Sequence, residues 1–313
     1  MSFDLKSLTS AVELHGRVVR IVVADVKGSV PRDVGASMLV WHGGQTGTIG
    51  GGALELDATA RARRALDQGD WLERFALGPG LGQCCGGAVT LLAEVYNTDR
   101  IGGIDNRVVL RRVSGNSDQP LKFKKQLNEA RNSGKKIESQ LASGWMIEPI
   151  VTPDRQLWIF GAGHVGRAIV SVLAPMPEIA ITWVDSAADR FPDNVPDEIN
   201  KLIAANPANL VRYAPSDAEH LVLTYSHALD LEICHRLLTH GFQSAGLIGS
   251  KTKWARFRKQ LRKLGHSDTQ IDRITCPIGR PELGKHPQTI AVGVAAALLS
   301  PTGTAEKLQQ RVG

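Results

Sequence analysis

The sequence predicts an α/β protein of two domains, the second of which is built on a parallel sheet. The first observation is length, because 313 residues exceed what one hydrophobic core usually supports. The second is the alternation of short apolar runs with helical patterns from Leu157 onward, which is typical of parallel strands with helices between them. The composition, 42% hydrophobic and 22% charged, is that of a globular protein.

The first half of the chain predicts several strands and one helix. The segments RVVRIVVAD, SMLVW and QTGTI are strand patterns, and WLERFALG and AVTLLAEVY are two more. Between these groups, a helical pattern follows three glycines and places four apolar residues on one face: Leu54, Ala58, Ala62 and Ala65. We therefore expect a mixed α/β domain over residues 1–100.

The middle of the chain predicts a boundary. Residues 101–154 are polar and weakly patterned, with turn signals in SGNSDQP and RNSGKK around a short helical pattern, LKFKKQLNEA. We expect a linker with connecting elements here. The apolar run LWIF then opens a second domain over residues 155–313, for which ITWVD, HLVLTY and SAGLIGS predict further strands.

A glycine fingerprint follows the first strand of this second domain. Gly161, Gly163 and Gly166 have the spacing G-x-G-x-x-G between an apolar strand and a helical pattern, which predicts a Rossmann-type unit. Asp185 ends the next strand about twenty residues later, where such units hold a ribose hydroxyl, and this favours NAD over a ligand with a 2′-phosphate. The sequence leaves open whether NAD or another nucleotide binds, or whether the fold is retained as a scaffold.

Two adjacent thiols, Cys84 and Cys85, lie between glycines in the loop GQCCGG. A disulfide between neighbours is strained because their Cα atoms are only about 3.8 Å apart. Zinc is disfavoured, since no second cysteine or histidine pair with the usual spacing accompanies them. The remaining interpretation is a reactive or metal-contacting thiolate, and the alternative is an incidental pair in a tight turn.

A second glycine-rich loop precedes the first-domain helix. Gly50, Gly51 and Gly52 form a candidate anion site made of backbone amides at a helix N-terminus. Glu55, in the first turn, either bonds a polar heterocycle or caps the helix, and the sequence favours neither.

The net charge of +6 comes partly from one run, KTKWARFRKQLRK. This run predicts an amphipathic helix whose packed face carries Trp254, Phe257, Leu261 and Leu264. Its charges are typical of a solvated face, and the alternative is that three of them meet a phosphate or an acidic partner: Lys251, Lys253 and Arg256.

Charge alone does not predict a nucleic-acid partner. We expect no membrane partner either, because no apolar stretch reaches the roughly 18 to 20 residues of a spanning helix. The four cysteines are too few for the disulfide framework of a secreted protein, so we expect a cytoplasmic location.

Six ordered blocks of the sequence resemble the XdhC/CoxI family, the accessory proteins that mature xanthine dehydrogenase and related molybdenum hydroxylases. The blocks are GSVPRDVGASMLV, TIGGGALE, LGPGLGQCCGG, IFGAGHVGRA, GLIGSKTKWARF and CPIGRPELGKHPQTIAV. The resemblance runs over nearly the whole length. It implies an N-terminal α/β domain of the XdhC type followed by the Rossmann-type domain.

The resemblance also implies a function. Such a protein binds the molybdenum cofactor (molybdopterin), holds it while sulfur from a cysteine desulfurase is installed, and inserts it into the molybdenum subunit of xanthine dehydrogenase. It implies an accessory factor more than a conventional enzyme. On matching positions, Cys84 and Cys85 contact the metal, and the residues implied to contact the cofactor are Gly50, Gly51, Gly52, Glu55, Gln83, Cys84, Cys85 and Gly86.

The sequence departs from the family pattern at several positions. Ala53 stands where other members often have cysteine, Ala187 where they often have arginine, and Tyr225 interrupts a T-H-x-H pattern. Two other functions stay open, an NAD-dependent oxidoreductase and a thiol-dependent sulfur-transfer enzyme. The sequence does not fix the oligomeric state, and a homodimer stays open.

Overall fold

The computed structural model describes residues 2–77, 86–104 and 107–300, and Gln83, Cys84 and Cys85 lie outside these ranges. The chain divides between Val151 and Thr152 into two compact units. Both units combine helices with sheets, which confirms the predicted α/β class. In the described part of the chain, no helix has the length and apolar character needed to cross a membrane.

The first unit holds two antiparallel sheets and four helices within its described residues. In chain order the elements are α1 (Leu5–His15), β1 (Val18–Lys27), β2 (Ser37–Trp41), β3 (Gly44–Gly47), α2 (Gly52–Gln68), β4 (Trp71–Ala76), β5 (Ala88–Tyr96), α3 (Thr98–Gly102), β6 (Val108–Arg112), α4 (Leu121–Ser133), β7 (Gln140–Ala142) and β8 (Trp145–Pro149). Sheet I has the order β3-β2-β1-β5-β4, and sheet II has the order β6-β8-β7.

Strand β1 is nearly continuous in apolar residues because both of its faces are buried. Val19 and Ile21 pack with α2 on one face of sheet I. Val22 and Ala24 point to the opposite face, where they pack with Met146 of sheet II. Sheet I is therefore a central layer, covered by α2 on one side and by sheet II on the other.

Helix α2 confirms the helical pattern of the sequence. All four residues predicted on its apolar face, Leu54, Ala58, Ala62 and Ala65, are buried against sheet I. The helix begins after Gly51, whose φ of 73° is in the region that glycine adopts at little cost. Gly69 ends it with a positive φ, as is common at helix C-termini.

A buried ion network lies between sheets I and II. Arg20 of β1 is 1% exposed and Glu148 of β8 is 0% exposed, and their side chains form a bidentate pair at 2.7 and 3.1 Å. Arg111 of β6 donates to Glu148 at 2.6 Å and to Glu94 of β5 at 2.7 Å. The ring of Phe3 lies 4.2 Å from the Arg20 guanidinium. Four strands from two sheets thus meet through charged side chains.

Each charge in this network depends on its partner. Burial alone would raise the pKa of Glu148, but the charges of Arg20 and Arg111 outweigh burial and hold that pKa below its usual range. A buried pair gains little over apolar packing, whereas removing one member leaves an uncompensated buried charge.

We expect Glu148→Gln to lower the free energy of unfolding of the first unit by about 3 kcal/mol or more. The substitution keeps the size of the side chain but leaves Arg20 without a counter-charge and Arg111 with Glu94 alone. Urea unfolding of the wild-type protein and the variant measures the difference.

Glu73→Gln is the matched control, because Glu73 also pairs with an arginine, Arg61, but its side chain is 48% exposed. We expect little change there. Equal effects of the two substitutions would contradict the role given to the buried network.

The second unit is built on one parallel sheet. In chain order its elements are β9 (Arg155–Phe160), α5 (His164–Leu173), β10 (Ile179–Asp185), β11 (Asn200–Ile203), β12 (Glu219–Val222), α6 (His227–His240), β13 (Ser244–Leu247), α7 (Lys251–Lys263), α8 (Asp268–Ile271), β14 (Ile274–Thr275) and α9 (Pro287–Leu299). Among its described residues, 3₁₀-helices span Ala188–Arg190, Pro207–Tyr213 and Pro281–Leu283.

Sheet III has the order β11-β10-β9-β12-β13-β14, with every strand pair parallel. Counted from β9, this order is 3-2-1-4-5-6, which is that of the Rossmann fold and confirms the predicted architecture. Helices α5 and α9 pack on one face. Helices α6 and α7 pack on the other. The order reverses between β9 and β12, and such a switch point is where open α/β sheets bind ligands.

One buried histidine in this sheet lacks a hydrogen-bond partner in the described structure. His220 of β12 is 1% exposed, neither ring nitrogen is bonded, and it is paired in register with Trp158 of β9. Burial, with a smaller contribution from the charge of His240, lowers the pKa of His220 to about 3. The histidine is therefore neutral in the folded protein across the physiological range.

The His220→Leu variant should lose less stability in acid than the wild-type protein does. Because the pKa of His220 is lower when folded, the unfolded chain binds the extra proton below about pH 6.5, and stability falls as pH is lowered. This one group contributes a slope of about 1.4 kcal/mol per pH unit, or about 2 kcal/mol between pH 6.5 and pH 5. Urea unfolding at pH 7, 6 and 5 measures both proteins.

His42→Gln, at an exposed position, is the control and should leave the pH dependence unchanged. If wild type and His220→Leu lose stability in parallel as pH falls, the buried histidine is not the cause.

Candidate functional site

The triple-glycine loop of the first unit is held by hydrogen bonds to the carboxylate of Glu55. Glu55, one turn into α2, accepts hydrogen bonds on Oε2 from Thr48 Oγ1 at 2.6 Å and from the backbone amides of Ile49 and Gly51 at 3.1 and 3.0 Å. The amide of Gly50 donates to Thr48 Oγ1 at 3.1 Å. Two of the three glycine amides predicted to receive an external anion, those of Gly50 and Gly51, are therefore bonded within the chain.

The second oxygen of Glu55 is much less engaged. Oε1 accepts a long hydrogen bond of 3.3 Å from Gln45 Nε2. Partial burial would raise the pKa of Glu55, but the hydrogen bonds from Thr48, Gly51 and Ile49 together lower it below its usual value. The loop therefore presents an ionised carboxylate with acceptor capacity remaining.

A loop between β1 and β2, residues 28–35, joins the two glycine-rich segments. A Cβ at Gly50 would lie 2.6 Å from Pro31 Cγ, so the triple-glycine loop packs directly on this segment. A Cβ at Gly87 would lie 2.3 Å from the carbonyl oxygen of Ser29. The structure thus brings Gly50 and the Gly86-Gly87 end of the cysteine loop to the same segment.

The cysteine loop itself lies outside the described residues. At its other end, the Leu77 amide donates to the Gly87 carbonyl at 2.8 Å, so both ends of the loop lie side by side. The predicted contacts of Gln83, Cys84 and Cys85 with the cofactor therefore stay predictions from the sequence. Among described residues, no three histidine, cysteine, aspartate or glutamate side chains are grouped so as to hold a metal ion.

The fingerprint loop of the second unit lies at the switch point of sheet III. Gly161 has a φ of 125°, and a Cβ there would lie 2.5 Å from the Leu223 carbonyl oxygen, beyond the end of β12. A Cβ at Gly166 would lie 2.0 Å from the Gly161 carbonyl oxygen. A Cβ at Gly163 would have no neighbouring heavy atom within 4 Å. The first and third glycines are thus needed for close packing, while the second faces open space.

Asp185 holds this loop in place. It is 2% exposed; Oδ2 accepts from the Ala162 amide at 2.6 Å, and Oδ1 accepts from the amide and hydroxyl of Ser186 at 2.6 and 3.1 Å. Arg190 Nε lies 3.5 Å from Oδ1. The carboxylate that the sequence assigns to a ribose hydroxyl is largely occupied by the protein itself.

Asp185→Asn should therefore act on stability, lowering the free energy of unfolding by about 1 to 3 kcal/mol. An amide has one acceptor oxygen, so it cannot accept from Ala162 and Ser186 in the same geometry. Thermal and urea unfolding measure the loss.

Asp189→Asn, an exposed substitution four residues away, is the control and should be within about 0.5 kcal/mol of wild type. An Asp185→Asn protein with the same free energy of unfolding as wild type would contradict the anchoring role.

A buried ion pair lies at the ends of β12 and β13, and sequence analysis missed its acid. Lys253 Nζ donates to Asp230 Oδ2 at 2.6 Å and to the Ile248 carbonyl at 3.0 Å. Asp230 is 0% exposed and accepts from the amide and hydroxyl of Thr224. Lys253 is therefore used inside the fold, unlike the exposed Lys251 with which it was grouped. The aspartate lay in a helix pattern that gave no indication of its partner.

Two described cysteines lie near this pair, and neither is a poised nucleophile. Cys234 is fully buried, and burial raises the pKa of its thiol. Burial raises the pKa of the half-buried Cys276 to about 11. Both thiols are therefore protonated at neutral pH, when only a thiolate is reactive.

The fold and these loops define an α/β protein with glycine-rich loops in its first unit and a Rossmann sheet in its second. Two family models match it: residues 11–76 match the model described as the XdhC and CoxI family, and residues 157–298 match the XdhC Rossmann domain. The two matches lie in separate units and together cover about two thirds of the chain. The chain belongs to the XdhC family.

One relative and one solved structure extend this comparison. An uncharacterised protein of Escherichia coli K12, YqeB, is 24% identical over 285 residues, covering 88% of this chain but 42% of its own length. The chain thus spans less than half of that relative. A crystal structure from Bacillus halodurans, described as a xanthine dehydrogenase, has a TM-score of 0.69 and 21% identity over 96% of this chain and 95% of its own. That likeness shows a shared fold over both units.

Proposed function

We propose that this protein binds the molybdenum cofactor as cargo, holds it while its sulfido ligand is installed, and inserts it into xanthine dehydrogenase. The observation that carries the proposal is membership of the XdhC family in both units. This membership indicates a role in xanthine dehydrogenase maturation. Binding, sulfuration by a cysteine desulfurase, and insertion are the finer steps that we propose.

The geometry of the first unit supports a particular orientation of the cofactor. Glu55 is ionised and lies against the loop amides, so a phosphate placed there would meet a like charge. The amino and ring N–H groups of a pterin are donors, and the lightly engaged Oε1 of Glu55 is an acceptor suited to them. We therefore assign the triple-glycine loop to the pterin end of the cofactor and not to its phosphate.

The thiols would hold the metal end. Gly86 and Gly87 lie against the same segment, residues 28–35, as Gly50 does. The adjacent Cys84 and Cys85 are therefore joined in sequence to a point beside the pterin loop. Thiolates are soft ligands for a transition metal, and a thiolate can also carry sulfur. Release then depends on a better-matched site in the acceptor.

The proposal does not extend to a dinucleotide in the second unit. The ribose-binding acid of such sites, Asp185, is bonded to Ala162 and Ser186 of its own loops. Close packing of the loop accounts for Gly161 and Gly166 without a bound dinucleotide.

Anaerobic binding of isolated molybdenum cofactor is the test. We expect the wild-type protein to bind near-stoichiometric cofactor, measured as protein-bound molybdenum together with oxidised-pterin fluorescence. Cys84→Ala or Cys85→Ala should abolish retention of the metal while the protein stays folded. Absence of cofactor binding by wild type, with saturable NAD binding instead, would overturn the proposal in favour of an oxidoreductase.

The same assay tests the orientation. Glu55→Gln should weaken pterin retention by about tenfold, since a charge-assisted hydrogen bond is lost. Thr48→Val is the control, because it removes one bond to the loop-facing oxygen and leaves Oε1 in place. Equal losses in the two variants would show that Glu55 acts by shaping the loop and not by contacting the pterin.

A further inference from the structure

Helix α7 carries an unusual concentration of positive charge. Its 13 residues, KTKWARFRKQLRK, include seven lysines and arginines and no acid. Trp254, Phe257 and Leu261 pack against the core of the second unit, whereas Leu264, at the C-cap, is 50% exposed. The helix is thus amphipathic as predicted, except that the last residue assigned to its packed face is not buried.

Three of the seven charges are neutralised within the unit. Lys253 pairs with Asp230. Arg258 pairs with Asp268 and Asp272 around helix α8, and Arg262 pairs with Asp268 at 2.7 Å. These pairs fix α7 to its neighbours.

The other four charges have no acidic partner in the described structure: Lys251, Arg256, Lys259 and Lys263 are all exposed. At 3.6 residues per turn they fall within an arc of roughly 140° on the outer face, over a length of about 18 Å. We call these four residues the basic face.

The basic face opposes the stability of its own helix. Arg256 and Lys259 are three residues apart, and Lys259 and Lys263 are four apart, so like charges are neighbours along the surface. Lys251 lies in the first turn, where the helix dipole disfavours a cation, whereas Lys263 lies in the last turn, where the dipole favours one. The repulsion between neighbouring like charges is thus only partly offset within the helix, and such local conflicts are typical of functional surfaces.

We propose that the basic face is a docking surface for an acidic surface of the acceptor protein. This inference rests on the proposed function, which requires the chain to meet the enzyme that receives the cofactor. Complementary charge at the edge of an interface speeds encounter and fixes orientation. A protein partner fits better than a single-stranded nucleic acid, because Trp254 and Phe257 point into the core and cannot stack on bases.

Binding kinetics to the molybdenum subunit of xanthine dehydrogenase test the proposal. The probe is that subunit, purified from a host that makes no molybdenum cofactor. We expect replacement of all four basic-face residues by glutamine to slow association at least about tenfold at low salt. The wild-type association rate should fall as NaCl is raised, and that of the variant should be nearly flat.

A matched variant separates this surface from net charge. Glutamine at four other exposed cations, Arg63, Arg64, Lys122 and Lys124, makes the same change in charge and should alter association by less than about threefold. Equal slowing by the two variants would overturn the proposal, as would unchanged binding by the basic-face variant.

Two further readouts identify the cause of a failure. The basic-face variant should load molybdenum cofactor as wild type does, so normal loading with no subunit binding by wild type rejects the docking surface alone. No loading by wild type rejects the proposed function. Tight binding of a 30-base-pair DNA duplex that the same substitutions abolish, with subunit binding intact, would assign the basic face to nucleic acid.

Discussion

The first unit depends on a charge network that lies where an apolar core would be expected. Arg20, Glu148, Arg111 and Glu94 join strands of sheets I and II through side chains that water hardly reaches. Such a network is costly to bury, and its hydrogen bonds have strict geometry. It therefore fixes the register of one sheet on the other more narrowly than apolar contacts would.

The two units stabilise their glycine-rich loops in the same way. In each unit, a carboxylate later in the chain accepts a hydrogen bond from a backbone amide of the loop. Glu55 accepts from the Gly51 amide, and Asp185 accepts from the Ala162 amide. Glycine lets the chain turn tightly, but it also makes the loop costly to order. An internal acceptor offsets that cost. The two carboxylates differ in the acceptor capacity that remains. Glu55 has one lightly bonded oxygen, whereas Asp185 is buried.

Elements with strong periodicity could be predicted from the sequence. The β1 run, the apolar face of α2 and the fingerprint loop all follow from local pattern. The segment from β6 to β8 could not, because two of the residues that join it to sheet I, Arg111 and Glu148, are charged, and their partners lie in other strands. Asp230 was missed for the same reason. The hydrogen bonds that Glu55 and Asp185 accept from backbone amides could not be predicted either, because a sequence pattern does not show where backbone groups point.

The outer strands of the sheets bear on how this protein assembles with others. The edges of sheet III are β11, with four residues, and β14, with two, while β3 at one edge of sheet I has four. Strand β4, at the other edge, carries the exposed charges Glu73 and Arg74. Short or charged edges resist pairing with a strand from another chain. These edges therefore favour association through side-chain surfaces over association by strand pairing, and a side-chain interface can separate without disrupting a sheet.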